Sequence, residues 1–334
     1  MATIIQAEVL FRPETAELRF LPEGPYPLGE TGFSWVAIQH GAEGKYGSLN
    51  LYRVTDRQSI SYRLPGRPGF AFATDVDSLF IVGCERTLGL FSTTEGAWYP
   101  LVDGIDDDRQ GTIINDGVTW DGNLIFGTKD LEFKTRKAGL YLYRGRDGKL
   151  IRLRDDQICS NGKAILRGPS GLIRLLDIDS PTRQVVAYEV DIEAGKLSSP
   201  KVVLDLTDDP AVPDGMILTP DGKSVIISMY NPNPAPFGET RQYRLIDGML
   251  ETVWQTAHSP QNTCPQLVAM HGQVYLVITT AVESMPIERQ REAEDAGSIF
   301  AAPTAWASVS DSPAFALSPS LRSLIRSILP GHHE

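Results

Sequence analysis

A short pattern, a turn followed by a β-rich run, recurs six times along the chain at intervals of roughly 44 to 53 residues. Intervals of this length are typical of the blades of a β-propeller. A ring of repeats grows by adding units, so 334 residues are compatible with a single domain. The β-rich runs begin near Trp35, Leu79, Leu124, Leu172, Val225 and Val274.

The segments between the turns have the length and composition of β-strands. They are short, are bounded by Gly, Asp, Asn or Pro, and follow one another roughly every 8 to 12 residues. Amphipathic stretches of helix length are nearly absent between Ile4 and Ala302. We therefore predict an all-β protein, a six-bladed β-propeller with four-stranded antiparallel blades over residues 1–302.

The two ends of the chain have separate predictions. An unpaired strand edge exposes a row of amide donors, so we expect Ile4–Phe11 to complete the blade that holds Val274–Thr279 and Ser298–Ala301. Residues 303–334 are predicted to be a C-terminal tail rich in Ser, Ala and Pro, either disordered or carrying a short docked helix. The helical spacing comes from Leu321, Leu324, Ile325, Ile328 and Leu329.

Charge and composition exclude several classes of protein. The net charge is -11 and the pI is about 5.0, whereas nucleic-acid binding needs clustered Lys and Arg. Residues 1–20 lack the apolar run of a signal peptide, and no stretch approaches 18 apolar residues. We expect a soluble, cytoplasmic protein, monomeric or weakly homo-oligomeric, that binds neither nucleic acid nor membranes. The three cysteines show no CxxC spacing, which favours buried free thiols.

Four oxygen-bearing side chains precede β-rich runs: Glu30, Asn115, Asn161 and Asp214. The last three lie about ten residues before their runs, and an equal phase in a closed ring means an equal distance from its axis. Carboxylates and carboxamides are hard ligands that suit Ca²⁺, with Mg²⁺ and Mn²⁺ as second choices. Zn²⁺ ranks last because neither His nor Cys occurs at this phase. Asn-Gly and Asp-Gly pairs are also common hairpin turns, which is the alternative explanation.

Four short blocks carry a family resemblance. They are Leu28-Gly29-Glu30 followed by Trp35; Ile114-Asn115-Asp116-Gly117 with Asp121-Gly122-Asn123 and Phe126-Gly127-Thr128; Ser160-Asn161-Gly162 with Asp179-Ser180-Pro181-Thr182-Arg183 and Tyr188-Glu189-Val190-Asp191; and Pro213-Asp214-Gly215-Met216. In this order the blocks resemble the family of regucalcin (senescence marker protein), gluconolactonase and luciferin-regenerating enzyme. The similarity extends from about Phe20 to Ala302.

The resemblance implies a divalent-metal-dependent hydrolase, most simply a lactonase. It implies metal ligation by Glu30, Asn161 and Asp214, with Asn115 as a further ligand or as a partner of bound water or substrate. In lactone opening the metal polarises the carbonyl and Asp214 orients or deprotonates the attacking water, so Asp214 and Asn115 are the predicted catalytic residues. A phosphotriesterase-like hydrolase and a non-enzymatic metal-binding scaffold are the alternatives.

The predicted substrate pocket contains Ile113, Asp116 and Phe33. Sugar-lactone members of the family carry an Arg where this chain has Ile113, and that Arg binds polar groups of the substrate. An aliphatic side chain cannot donate hydrogen bonds to hydroxyl groups, so a substrate less polar than an aldonolactone is expected.

Overall fold

The computed structural model describes residues 2–167, 172–309 and 314–328. Within these residues the chain is built almost entirely from strands. The strands are β1 (Thr3–Phe11), β2 (Pro22–Pro27), β3 (Gly32–Ala37), β4 (Ser48–Arg53), β5 (Gln58–Arg63), β6 (Pro68–Ala73), β7 (Leu79–Cys84), β8 (Thr87–Ser92), β9 (Ala97–Val102), β10 (Thr112–Trp120), β11 (Asn123–Asp130), β12 (Ala138–Arg144), β13 (Lys149–Gln157), β14 (Ser160–Arg167), β15 (Ile173–Asp179), β16 (Gln184–Asp191), β17 (Lys196–Leu197), β18 (Lys201–Asp205), β19 (Val212–Leu218), β20 (Ser224–Tyr230), β21 (Phe237–Arg244), β22 (Leu250–Ala257), β23 (Asn262–Met270), β24 (Gln273–Thr280) and β25 (Ile299–Pro303). The helices are α1 (Ile287–Glu292) and α2 (Pro319–Ile328), with a 3-10 turn at Ser180–Thr182.

The described strands form an all-β propeller, but the predicted set of six separate four-stranded blades is wrong. Four sheets are separate blades: β2 to β5, β6 to β9, β10 to β13, and β14 to β18. The remaining strands form one continuous eight-stranded sheet in the order β19-β20-β21-β22-β1-β25-β24-β23. The blade of β14 to β18 also departs from four strands, because both β17 and β18 pair with β16.

Strand β1 is the reason that the large sheet is continuous. Its second half pairs antiparallel with β25, as predicted, through Glu8–Ala301 and Val9–Phe300. Its first half also pairs in parallel with β22, from Thr3–Thr252 to Ala7–Thr256. One N-terminal strand therefore covers two edges that would otherwise expose unpaired amide groups.

The first strand of each repeat lies at the centre of the propeller. Strands β2, β6, β10, β14, β19 and β23 contact one another in this order, and β23 also contacts β2, so they surround an axis. Every one of these inner strands carries a register shift, or bulge, at its start or closer to its middle. A bulge bends a strand and redirects its side chains. The six bulges can therefore point side chains towards the axis.

Glycines at the bulges allow the inner strands to approach one another closely. A Cβ atom on Gly162 would lie 2.5 Å from the carbonyl oxygen of Asp214. A Cβ atom on Gly69 would lie 2.2 Å from the carbonyl oxygen of Asn115. Contacts this short are sterically forbidden, so any larger residue would push two neighbouring inner strands apart.

The C-terminal segment packs on the propeller and carries a helix. Phe315 is fully buried and its backbone bridges that of Thr74, while Leu321 and Ile325 of α2 enter the same apolar cluster. Leu324 of α2 faces solvent. Residues 310–313 and 329–334, including Leu329 of the predicted helical pattern, lie outside the described residues. None of the described helices is long and apolar enough to span a bilayer.

Replacing Leu321 by Ala should lower the free energy of unfolding by about 2–5 kcal/mol, the usual cost of truncating a buried leucine. Leu324→Ala, an identical change three residues away on the exposed face of α2, should change it by less than about 0.5 kcal/mol. Urea denaturation followed by tryptophan fluorescence measures both values. Equal, small effects of the two changes would contradict the packing of α2 on the propeller.

Candidate metal centre

Four oxygen-bearing side chains occupy equivalent positions in four inner strands. Glu23, Asn161 and Asp214 each directly precede a bulge glycine, Gly24, Gly162 and Gly215. Asn115 lies with Asp116 in the bulge of β10, shortly before Gly117. Because the inner strands surround one axis, this shared position brings side chains together that are far apart in sequence.

The two carboxamides are held by protein acceptors. Asn115 Nδ2 donates to the Ser160 carbonyl oxygen at 2.9 Å and to Asn161 Oδ1 at 3.2 Å. Asn161 Nδ2 donates to Ser180 Oγ at 3.0 Å. Since both nitrogen atoms are engaged by the protein, the carboxamide oxygens are the atoms available to a cation. Both side chains are buried, so their geometry is fixed before any ligand arrives.

The carboxylates of the centre are buried or partly buried, and they repel one another. Burial, followed by the charge of Asp116, raises the pKa of Glu23 to about 8. Burial, followed by the charges of Glu23 and Asp116, raises the pKa of Asp214 well above its ordinary value. Burial also raises the pKa of Asp116, although the nearby Lys163 ammonium opposes this shift. Like charges in a low-dielectric site produce these shifts, and a cation would relieve them.

A buried ion pair supports the strand that carries Asn161. Lys163 Nζ lies 3.2 Å from Asp177 Oδ1, and both side chains are inaccessible to solvent. The same ammonium donates to the Asn161 carbonyl oxygen at 2.7 Å and to Ser160 Oγ at 2.8 Å. These bonds fix the backbone at the bulge and hence the direction of the Asn161 carboxamide.

The other residues predicted for the site lie in different environments. Glu30 is exposed in the turn between β2 and β3, whereas the carboxylates of the centre are buried or partly buried. Phe33 is completely buried and packs against Phe11 and Tyr52. Ile113 is buried on β10, opposite Lys129 of β11. The structure therefore groups Asn115, Asn161, Asp214 and Asp116, and leaves Glu30 and Phe33 outside the group.

Glu23 is the residue of this group that the sequence analysis missed. The pattern of Gly29-Glu30 followed by Trp35 pointed instead to Glu30 as the acid of the first repeat. The order of residues could have identified Glu23, since Glu23-Gly24 repeats the arrangement of Asn161-Gly162 and Asp214-Gly215. In Gly29-Glu30 the glycine precedes the acid instead of following it.

The donor set fits a hard divalent cation. Among the residues that the structure describes, no three Asp, Glu, His or Cys side chains are grouped closely enough to hold a metal ion. A cation at the axis would therefore need carboxamide oxygens in addition to Glu23 and Asp214. Two carboxylates balance a divalent charge, and a set made only of oxygen atoms is the type that Ca²⁺ and Mg²⁺ prefer.

An axial cavity of about 500 Å³ lies beside this centre. Its lining residues belong to the halves of the inner strands that follow the bulges, and Asp116 is the acid of the centre that reaches it. The walls combine apolar side chains with charged ones such as Lys163 and Arg167. They include Tyr26, Phe70, Phe72, Val118, Met216 and Leu218.

Comparison with known proteins identifies the family to which this propeller belongs. Residues 21–282 match the family described as "SMP-30/Gluconolactonase/LRE-like region", and the chain belongs to this family. This membership confirms the family resemblance noted in the sequence.

Two curated relatives have activities or binding properties in their names. "Putative sugar lactone lactonase YvrE" of Bacillus subtilis is 30% identical over 185 residues, which are 54% of this chain and 58% of that protein. Regucalcin of Danio rerio is 28% identical over 244 residues, which are 66% of this chain and 75% of that protein. The match to the lactonase thus spans somewhat more than half of its length.

Solved structures share the fold at low sequence identity. Regucalcin from Agrobacterium tumefaciens, described as a calcium-binding protein, superposes with a TM-score of 0.75 at 20% identity and covers 95% of this chain and 99% of its own. A luciferin-regenerating enzyme gives 0.73 at 17% identity, covering 89% and 95%. A gluconolactonase from Xanthomonas campestris gives 0.58 at 16% identity, covering 88% of each chain. At these identities the likeness establishes the fold alone.

The raised pKa of Glu23 predicts how the metal-free protein responds to pH. A carboxyl with a raised pKa binds its proton more tightly in the folded state, so its contribution to stability is complete below the ordinary value of 4.5. This contribution is lost as the pH rises towards about 8, by up to about 1.4 kcal/mol per pH unit. Urea denaturation with a chelator present should show a smaller decline between pH 5 and 8 for Glu23→Gln than for the wild type. Parallel declines would contradict the burial of Glu23 among other acids.

Proposed function

We propose that this protein is a divalent-cation-dependent hydrolase that opens lactones, with Ca²⁺ as its cation and a small-molecule lactone as its partner. The observation that carries the proposal is the pair of carboxylates, partly buried Glu23 and buried Asp214, that repel each other beside two buried carboxamides. Such a pair is costly to bury, and a divalent cation is the ligand that offsets the cost. The family membership and the lactonase named among the relatives support the reaction type.

The ligands in this proposal are Glu23, Asn161 and Asp214, with Asn115 as a fourth ligand or as a partner of bound water. A bound cation would polarise the lactone carbonyl as a Lewis acid. Asp214 orients the attacking water and accepts its proton, since its carboxylate lies within the centre. Asn115 keeps the carboxamide of Asn161 in place through its Nδ2 hydrogen bond.

A lactone that is less polar than a sugar lactone is the substrate we favour, because Ile113 stands where sugar-lactone members of the family carry an Arg. Ile113, two residues before Asn115, is only 2% exposed and presents no hydrogen-bond donor from its side chain. A site built to bind hydroxyl groups loses much of its affinity when a donor is replaced by an alkyl group. We therefore place lactones with alkyl substituents ahead of polyhydroxylated ones.

Substitution of the two candidate glutamates should show which one binds the cation. Glu23→Gln should weaken calcium binding by more than about 10-fold, because the loss of even an outer-shell partner commonly costs 10- to 100-fold. Glu30→Gln removes the same charge from an exposed turn and should leave the affinity unchanged. Isothermal titration calorimetry of chelator-treated protein measures both. The opposite ranking of the two variants would move the ligand from Glu23 to Glu30.

Hydrolysis should depend on both the cation and Asp214. A panel of neutral γ- and δ-lactones should be opened by wild-type protein with calcium, should stop being opened after chelation, and should be opened again when calcium is restored. Asp214→Asn should reduce kcat/KM by at least about 100-fold, the lower range for losing a general base. A pH-indicator assay records the acid that each opened lactone releases. Calcium binding without turnover of any lactone would reject the activity and favour a non-enzymatic calcium-binding propeller.

A further inference from the structure

Lys129 is a buried ammonium beside the proposed metal centre that the mechanism above does not use. It lies in β11 with 6% of its surface exposed. Its backbone pairs with Ile113 on one side and bridges to Cys159 on the other. The Cys159 thiol in turn lies 3.8 Å from the Nδ2 atoms of both Asn115 and Asn161. One residue, Cys159, therefore lies between Lys129 and the carboxamides of Asn115 and Asn161.

The charge of Lys129 acts on the centre, but no direct ion pair neutralises it. Its ammonium lowers the pKa values of Glu23 and Asp214 against the larger effect of burial, which raises both values. Lysines 134, 137 and 163 form ion pairs within 4.0 Å, whereas Lys129 forms none among the described residues. The ring of Phe133, 5.6 Å from Nζ, is its nearest recorded partner. Its recorded partner is therefore an aromatic face and not a hydrogen-bond acceptor, which leaves its N–H donors available to a ligand.

Lys129 and the axial cavity lie at opposite ends of the centre. The proposed ligands directly precede the bulges of the inner strands, and Ile113 and Cys159, the neighbours of Lys129, come earlier still in those strands or just before them. The cavity is lined by residues that follow the bulges. A substrate that approaches the cation from the side opposite the cavity therefore meets Lys129.

The loop after β11 holds Lys129 and Phe133 in place. The buried Asp130 carboxylate accepts hydrogen bonds from the backbone N–H groups of Glu132, Lys134 and Thr135, and it pairs with Lys137 Nζ at 2.9 Å. These contacts fix the chain immediately after Lys129. A group fixed in this way can serve a reaction without first being ordered.

We propose that Lys129 is a catalytic residue that donates a proton to the ring oxygen of the lactone as the ring opens; this inference rests on the function proposed above. Water adds to the carbonyl carbon and gives its proton to the Asp214 carboxylate. The bond between the carbonyl carbon and the ring oxygen then breaks, and its electron pair goes to the ring oxygen, which takes a proton from the Lys129 ammonium. Exchange with solvent moves the proton gained by Asp214 back to Lys129, so the reaction is lactone plus water to hydroxy acid.

The leaving group of the substrate tests this role. An alkoxide needs a proton as it departs, whereas a phenoxide departs readily without one. Lys129→Met should therefore slow the opening of an alkyl δ-lactone by at least about 100-fold in kcat but slow dihydrocoumarin, whose leaving group is a phenoxide, by less than about 5-fold. Lys129→Arg keeps the charge and should fall between the wild type and Lys129→Met. Lys134→Met, an exposed lysine of the same loop, should behave as the wild type.

Calcium affinity provides a readout that does not depend on turnover. Removing a positive charge beside a cation site should tighten calcium binding. Because the repulsion between the ammonium and the cation is partly screened, we expect calorimetry to show that Lys129→Met binds calcium about 3- to 10-fold more tightly. Equal losses of rate for the alkyl lactone and for dihydrocoumarin, or weaker calcium binding, would overturn the role of Lys129 while leaving lactone hydrolysis in place. Wild-type protein that binds calcium but opens neither substrate would instead reject the proposed function, and this inference with it.

Discussion

Close packing of the inner strands around the axis is the constraint from which the candidate centre follows. Glycines at the bulges allow the backbone of one inner strand to contact the carbonyl oxygens of the next, as at Gly162 and Asp214. The same bulges direct the preceding side chains inwards. Acids and amides from separate repeats therefore meet in a place with little solvent. The electrostatic properties of the centre are a consequence of this packing.

The desolvated charges of the centre reduce the stability of the fold. Glu23 and Asp214 would be more stable in water, and their raised pKa values measure that cost. The ion pair of Lys163 with Asp177 fixes the backbone at Asn161, and the Lys163 ammonium opposes the rise in the pKa of Asp116. The Lys129 ammonium offsets part of the cost of burying Glu23 and Asp214, although it forms no ion pair with either carboxylate. A protein selected only for stability would have apolar residues at these positions.

The sequence predicted most of the oxygen-bearing side chains that meet at the centre, but it did not predict Glu23. Phase within the repeat selected Asn115, Asn161 and Asp214, and the structure places the first two in hydrogen-bond contact. Glu30 does not share this phase and is exposed in the structure, whereas Glu23 directly precedes the bulge glycine Gly24. The helix α2 was one of two alternatives, since apolar spacing alone cannot show whether a surface exists on which the helix packs.

A period in the sequence carries information about distance from an axis, so the repeat, the all-β class and most of the oxygen-bearing residues near the centre could be predicted from it. It carries none about hydrogen bonds between remote segments. The pairing of β1 with both β22 and β25, which turns two expected blades into one sheet, therefore appeared only in the folded chain. The same holds for burial: Glu23 and Glu30 are both acids close to a glycine, and only three-dimensional packing places one in the low-dielectric centre and the other in solvent. Side-chain identity is a local property, whereas desolvation depends on every segment that surrounds it.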